Sequence, residues 1–179
     1  CSLWHEGQHY GWGAISGFPD IESALGYYDE GIVEVADWEI KFMVENGIDV
    51  QHLCWYSPSN NINLPIKKSG MNDALHGGFF NAKYSDMMKF TFMWENTGVN
   101  CTSLEQFKEY IWSYWMDYYC LDDRFYTIDN KIVITVWSKA NFKTAFGGTY
   151  EGCKEAVVWM NEDAKANGFD GVMIFFADG

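Results

Sequence analysis

Basic side chains are scarce: 12 Lys and Arg stand against 25 Asp and Glu, for a formal net charge of −13. So few cations cannot neutralise a run of phosphates, which argues against nucleic acid and against anionic membrane surfaces as partners. Such a protein suits a neutral or cationic substrate, although negative charge also serves plain solubility. Long apolar runs are missing too. None approaches the roughly 18 residues of a transmembrane helix, so no membrane span is expected. The five Cys include no CxxC pair, and His5, His9, His52 and His76 lack His-x-x-x-His spacing, so no metal set emerges. There is no P-loop and no GxSxG, and Gly7, Gly11 and Gly13 do not make GxGxxG. No cofactor is implied.

Aromatic residues are abundant, with 9 Trp, 11 Tyr and an aromatic share of 18%. Some must fill the core, but flat rings at loop positions commonly stack on sugar rings. The stretch from Lys89 to Asn96 shows where such rings fall. Phe90 to Met93 is a short apolar run of the kind a parallel strand buries on both faces, and it ends in Trp94, Glu95 and Asn96. The shape recurs: Leu53-Cys54 runs into Trp55-Tyr56, Val133 to Val136 into Trp137-Ser138, and Val172 to Phe176 into Ala177-Asp178. The opening Leu3-Trp4-His5-Glu6 resembles the tail of another such strand. Apolar strands with aromatic and ionisable groups at their carboxyl ends are what the active rim of a β/α barrel requires.

Helices alternate with these strands. Glu34 to Asn46 carries an apolar stripe of Val35, Trp38, Phe42 and Met43, and Gly47 stops it. Asn72 to Lys83 reads as a helix disturbed by Gly77-Gly78. Ser103 with Gln106 forms a capping box, and Leu104, Phe107, Ile111, Tyr114 and Tyr118 recur at helical intervals to about Cys120, widened by Trp112 and Trp115. Phe125 to Ile128 and Lys131 to Trp137 flank an Asp129-Asn130 turn signal, as a strand pair or an extended approach. Phe142 to Gly148 reads as a loop or brief helical turn, and Tyr150 to Asn167 as the last helix. Two junctions match: Asn46-Gly47-Ile48-Asp49 and Asn167-Gly168-Phe169-Asp170 are each helix, glycine, apolar residue, Asp, strand. Repeated junctions of this kind mean βα units and a parallel sheet with right-handed crossovers.

At 179 residues the chain suits one domain, 1–179. A whole (β/α)8 TIM-type barrel takes ~250 residues. The expected fold is therefore α/β, a partial TIM barrel of about four to five βα units, an incomplete fragment of a longer protein. An open doubly wound parallel sheet is the alternative, and it would call for a Gly-rich phosphate loop after the first strand. The Cys should be mostly free thiols. Asn100-Cys101-Thr102 fits the glycosylation pattern.

In order and spacing, Trp38-Glu39-Ile40, Asn46 to Asp49, Cys54-Trp55-Tyr56, Ala74 to Phe79 and Lys89 to Asn96 resemble the family 99-like (WbsX-like) glycoside hydrolase domain. Leu104 to Tyr119, Tyr126-Thr127-Ile128 and Lys131-Ile132-Val133 extend the resemblance over nearly the whole chain. One departure is Asp129 to Ile132, where a Gly-Lys-Pro turn is expected. The resemblance implies a barrel acting on a polysaccharide or glycan, with endo-mannosidase-like relatives, often bacterial and extracellular or periplasmic. It implies a principal acid and base on a late strand beyond residue 179, and retention through the substrate's own 2-hydroxyl. It matches Glu95 to the carboxylate at the end of the third strand, and Trp55 and Tyr56 to the second.

From the residues themselves, Glu95 is the leading catalytic candidate, because a carboxylate on an apolar strand must reach water, a partner or a ligand. Trp55, Trp94 and Trp137 are candidate stacking plates, and Tyr56 a donor to a hydroxyl. His5, with Glu6, could serve a subsite near the first strand, and Asp178 ends the last strand, where catalytic groups often sit. His76 reads as structural. The expected partner is an oligosaccharide or polysaccharide substrate. The alternatives are a non-catalytic carbohydrate-binding barrel and a protein of surface-polysaccharide biosynthesis.

Overall fold

A computed structural model of the chain describes the backbone of Trp4–His5 and Gln8–His9, and residues 28–57, 73–97 and 101–178. The chain forms two compact units: Cys1–Gln51 with Lys68–Lys89, and His52–Lys67 with Phe90–Gly179. Among the described residues no helix is long and apolar enough to cross a membrane.

In the first unit, β1 (Trp4–His5) pairs antiparallel with β2 (Gln8–His9), setting Trp4 opposite His9. The opening segment is therefore half of a two-stranded ladder, where a barrel strand was expected. Only two residues separate β1 from β2, too few for a parallel crossover. Helix α1 (Val33–Glu45) buries Ala36 and Ile40. Trp38 and Phe42, expected in its buried stripe, stay 49% and 43% exposed. Segment 73–87 explains the choice of face. It is a π-helical turn at Ala74–Gly78 followed by 3-10 turns at Phe79–Asn81 and Ser85–Met87, where one helix was expected. A Cβ on Gly78 would lie 2.3 Å from the Glu30 carbonyl oxygen and 3.3 Å from the Ala36 methyl, so small residues set this approach.

α1 ends as the sequence echo requires. Gly47 has φ +76°, and the Ile48 N–H donates to the Met43 carbonyl at 2.9 Å. The junction in the second unit repeats it, with Gly168 at φ +93° and the Phe169 N–H on the Ala164 carbonyl at 3.0 Å. Both are Schellman ends, which satisfy carbonyls that the last turn leaves open.

The second unit is mixed α/β, built on an open, parallel-rich sheet of five strands. Its members are β3 (Val50–Tyr56), β4 (Lys89–Glu95), β5 (Thr127–Ile128), β6 (Lys131–Val136) and β7 (Gly171–Phe176). β4 and β6 are parallel, with Met93 beside Thr135 and Trp94 beside Val136. β6 and β7 are parallel from Lys131 with Gly171 to Val136 with Phe176. β3 flanks β4; the Asp49 carbonyl accepts from the Lys89 N–H at one end and Tyr56 lies near Glu95 at the other, so these two also run the same way. β5 is the exception, a short antiparallel partner of the start of β6. Asp129 and Asn130 both take positive φ, 49° and 54°, which makes the link a type I′ hairpin turn. Phe125 bridges Phe90, so residues 124–128 fill the gap at the start of β4, and β4 meets β6 at Met93 and Trp94.

The long helix α2 (residues 104–120) follows β4. Ser103 caps it, accepting from the Gln106 N–H at 3.2 Å, while Gln106 reaches back to the Thr102 N–H at 2.9 Å. Two π-helical stretches, Phe107–Trp112 and Met116–Cys120, widen it. Residues four apart then stay aligned, so Phe107, Ile111, Trp115 and Tyr119 are all buried while Tyr118, expected on that stripe, is exposed. Helix α3 (Lys139–Ala145) starts earlier than the loop or turn expected at 142–148, because Ser138 caps it by accepting from the Asn141 N–H at 3.4 Å. Helix α4 (Tyr150–Ala166) leads into β7.

All these helices lie on one face of the sheet. Phe92 and Trp94 of β4 meet Trp115 at 4.8 and 5.5 Å between ring centroids, and Phe90 meets Tyr119 at 6.3 Å. Phe142 of α3 touches Trp94 and Phe176, and Trp159 of α4 touches Trp112. Burial on this face, Phe90, Phe92, Trp94, Ile132, Ile134 and Val136 all at or below 2% exposure, is the main hydrophobic contribution to the unit.

Candidate functional site

Side chains of a strand alternate between faces. On β4, Phe90, Phe92 and Trp94 face the helices, so Thr91, Met93 and Glu95 face the other way. The parallel pairing puts Thr135 on the same side as Met93. One residue beyond that pairing, the Trp137 N–H donates to the Trp94 carbonyl at 3.0 Å, which sets Trp137 level with Glu95. On β3, Trp55 faces the helices, meeting Trp115 edge-on at 5.4 Å, so Cys54 and Tyr56 belong to the opposite face. The face turned away from the helices thus gathers Tyr56, Glu95 and Trp137 at the carboxyl edge.

Trp137 is 47% exposed there. Glu95 is half-buried, and its Oε1 accepts from the Thr97 N–H at 3.2 Å and from the Thr97 hydroxyl. Tyr56 is half-buried, and burial first, then Cys54 and the Glu95 carboxylate, raise its phenol above the usual range. It shares a side-chain hydrogen bond with Cys54. A carboxylate, a phenol and an exposed indole are groups whose chemistry suits a polyhydroxylated ring.

The other candidates fall elsewhere. Trp55 and Trp94 are 0% and 1% exposed and covered by Trp115, Phe92, Phe107 and Phe142, so they are core and offer no plate to a sugar. Consecutive residues of one strand cannot share a face, and this rule applied to Trp55-Tyr56 and Trp94-Glu95 separates core from rim. Asp178 accepts from the Lys139 N–H at 2.9 and 3.0 Å, which makes it an anchor for the start of α3. The side chain of His5 and all of Glu6 lie outside the described residues. Cys54 stands two residues before Tyr56 on the same face; strand periodicity was the available signal.

A second cluster belongs to the first unit alone. Tyr28, Glu30 and Glu39 lie together, and burial raises all three above their ordinary values, Glu30 to about 7. Nothing in the sequence pattern marked it, because Glu30 lies two residues ahead of the Ile32 N-cap of α1, where an acidic residue is ordinary. Among the described residues no group of three or more His, Cys, Asp or Glu could hold a metal ion.

Set against family models, curated proteins and solved structures, the chain finds no match.

Proposed function

We propose that this chain is part of a carbohydrate-active β/α barrel, a glycoside hydrolase that handles a neutral glycan at the carboxyl edge of its sheet, on the face turned away from the helices. The observation that carries the reading is the exposed Trp137 indole level with Glu95, with Tyr56 beside it, at the carboxyl edge of parallel strands. Two features support a barrel over a doubly wound sheet. β3, β4, β6 and β7 are neighbours in chain order without the reversal that makes a switch point, and the described helices of the unit cover one face only. In such a barrel the other face is the interior.

Hydrolysis by two carboxylates needs a partner for Glu95. Asp178 is committed to α3, so the partner comes from outside the described residues, in keeping with the late-strand acid and base that the family resemblance implies. The commitment of Asp178 also favours a second reading, a barrel that binds glycan without cleaving it. Incubation with labelled oligosaccharides, mannose-based ones first, separates the two. Mass spectrometry reads products and calorimetry reads binding. Glu95→Gln should lower turnover by about 10²-fold. Trp137→Ala should weaken binding by about tenfold. Binding without products selects the second reading. Neither binding nor cleavage of any glycan overturns both.

A further inference from the structure

Between α3, α4 and the end of β7 lies a cleft of about 670 Å³. It is on the helix-bearing side of the sheet, away from Glu95 and Trp137. Its wall on α4 is Tyr150, Cys153, Lys154, Val157 and Val158. These follow the i, i+3, i+4, i+7, i+8 rule, a stripe that a helix normally packs against something. Here Tyr150 and Val158 are 78% and 48% exposed. Phe142 and Phe176, edge-on at 5.5 Å, form the floor. The volume falls within the range of small-molecule sites, ~300–1,000 Å³.

The charge around this cleft runs against the whole chain. Acids outnumber bases 25 to 12, yet Lys139, Lys143 and Lys154 line the cleft and no acidic side chain does among the described residues. Lys143 Nζ stands 4.3 Å from the centroid of the Tyr150 ring. It also favours the thiolate of Cys153, which burial disfavours, so its ammonium acts on the cleft wall. Near Lys139 the Asp178 carboxylate, bound to the Lys139 N–H, supplies negative charge. That leaves Lys143 and Lys154 as the pair able to meet an anion.

We propose that this cleft binds a small amphiphile, its apolar tail on Phe142, Val157, Val158 and Phe176 and a single anionic head group at Lys143 and Lys154. A neutral sugar offers neither part, so probes that differ in head group separate this site from the glycan site.

Decanoate, decanol and decylamine share a tail and differ in head group, which makes them the probes. Cys153 is the reporter. Its rate of alkylation by N-ethylmaleimide is followed by peptide mapping with and without each probe, with Cys54, on the opposite face of the sheet, as the internal reference. Decanoate should slow Cys153 several-fold at concentrations that leave Cys54 unchanged, with decanol weaker and decylamine weakest. Replacing Lys143→Gln and Lys154→Gln together should raise the decanoate concentration needed for half-protection by about tenfold, which is the loss of one to two charge-assisted contacts. The ratio with and without probe in each protein removes any change in intrinsic thiol reactivity. No protection, equal protection by all three probes, equal slowing of Cys54, or full protection in the double variant each overturns the proposal. So does protection by an acidic peptide where decanoate gives none, which would make the cleft a protein-docking groove.

Discussion

Asn96 and Ser138 hold each other across the carboxyl ends of β4 and β6. The Asn96 Nδ2 donates to the Ser138 carbonyl at 3.0 Å, and the Ser138 N–H donates to Asn96 Oδ1 at 3.0 Å. Asn96 is 3% exposed, so both bonds are shielded from water. The pair closes the strand ladder just past Trp94 and Val136 and fixes where Glu95 and Trp137 emerge. Asn96→Ala removes both bonds and strands two backbone groups, a loss of about 2 kcal/mol. Asn96→Asp keeps the acceptor but sets a buried carboxylate oxygen against the Ser138 carbonyl, so it should cost at least as much as Asn96→Ala. Urea unfolding midpoints order the three proteins; equal midpoints would show that the ladder closes without the staple.

Trp94 pairs with Val136, so Trp137 lies one register position further along the neighbouring strand, and alternation puts the two indoles on opposite faces. Trp94→Ala empties a site packed by Phe107, Trp115 and Phe142 and should cost about 3–5 kcal/mol. Trp137→Ala removes an exposed ring and should change stability by roughly 0.5 kcal/mol or less. Thermal and denaturant unfolding of both variants measures the difference. A large loss at Trp137 would return it to the core and take it out of the site.

Strands β3, β4, β6 and β7, the helices at 33–45, 104–120 and 150–166 and the two glycine junctions were legible in the sequence because each rests on local chemistry: apolar period, cap residues, a positive φ at Gly47 and Gly168. Which way a strand-end residue points was legible in principle, from the alternation that puts Trp55 and Tyr56 on opposite faces. The breakdown of segment 73–87 was not, because it follows from Gly78 pressing on Glu30 and Ala36, a contact between residues more than 40 apart. The role of Asp178 was hidden for the same reason: its partner is the backbone N–H of Lys139, 39 residues away.

Gly78 and Gly47 are both required, for different reasons that substitution separates. At Gly78 any Cβ meets the Glu30 carbonyl at 2.3 Å, so Gly78→Ala and Gly78→Asn should both destabilise the first unit, by about 1–3 kcal/mol or more. At Gly47 a Cβ meets nothing within 4 Å, and only the φ of +76° is unfavourable. Gly47→Ala should cost about 1 kcal/mol, and Gly47→Asn less, because Asn tolerates the left-handed region. Unfolding free energies of the four variants test this; rescue by Asn at Gly78 would show that the clash is absent.

Glu30 sets a pH dependence whose sign follows from its surroundings. Its Oε2 is buried without a hydrogen-bond partner. Burial first, with Glu39 and Asp29 adding repulsion, raises its carboxyl from an ordinary 4.5 to about 7. Between those values the folded state holds a proton that the unfolded chain has released. Stability from this group is therefore complete below about 4.5, falls as pH rises, and is fully lost above about 7. Glu30→Gln carries no titrating group, so its stability relative to the parent should rise across that window and level off on either side. Glu39 and Tyr28 remain in both proteins and cancel to first order in the difference. Urea midpoints taken for both proteins at half-unit intervals from pH 4 to 8 trace that difference. A constant difference across the window would show that Glu30 ionises in the fold as readily as it does in water.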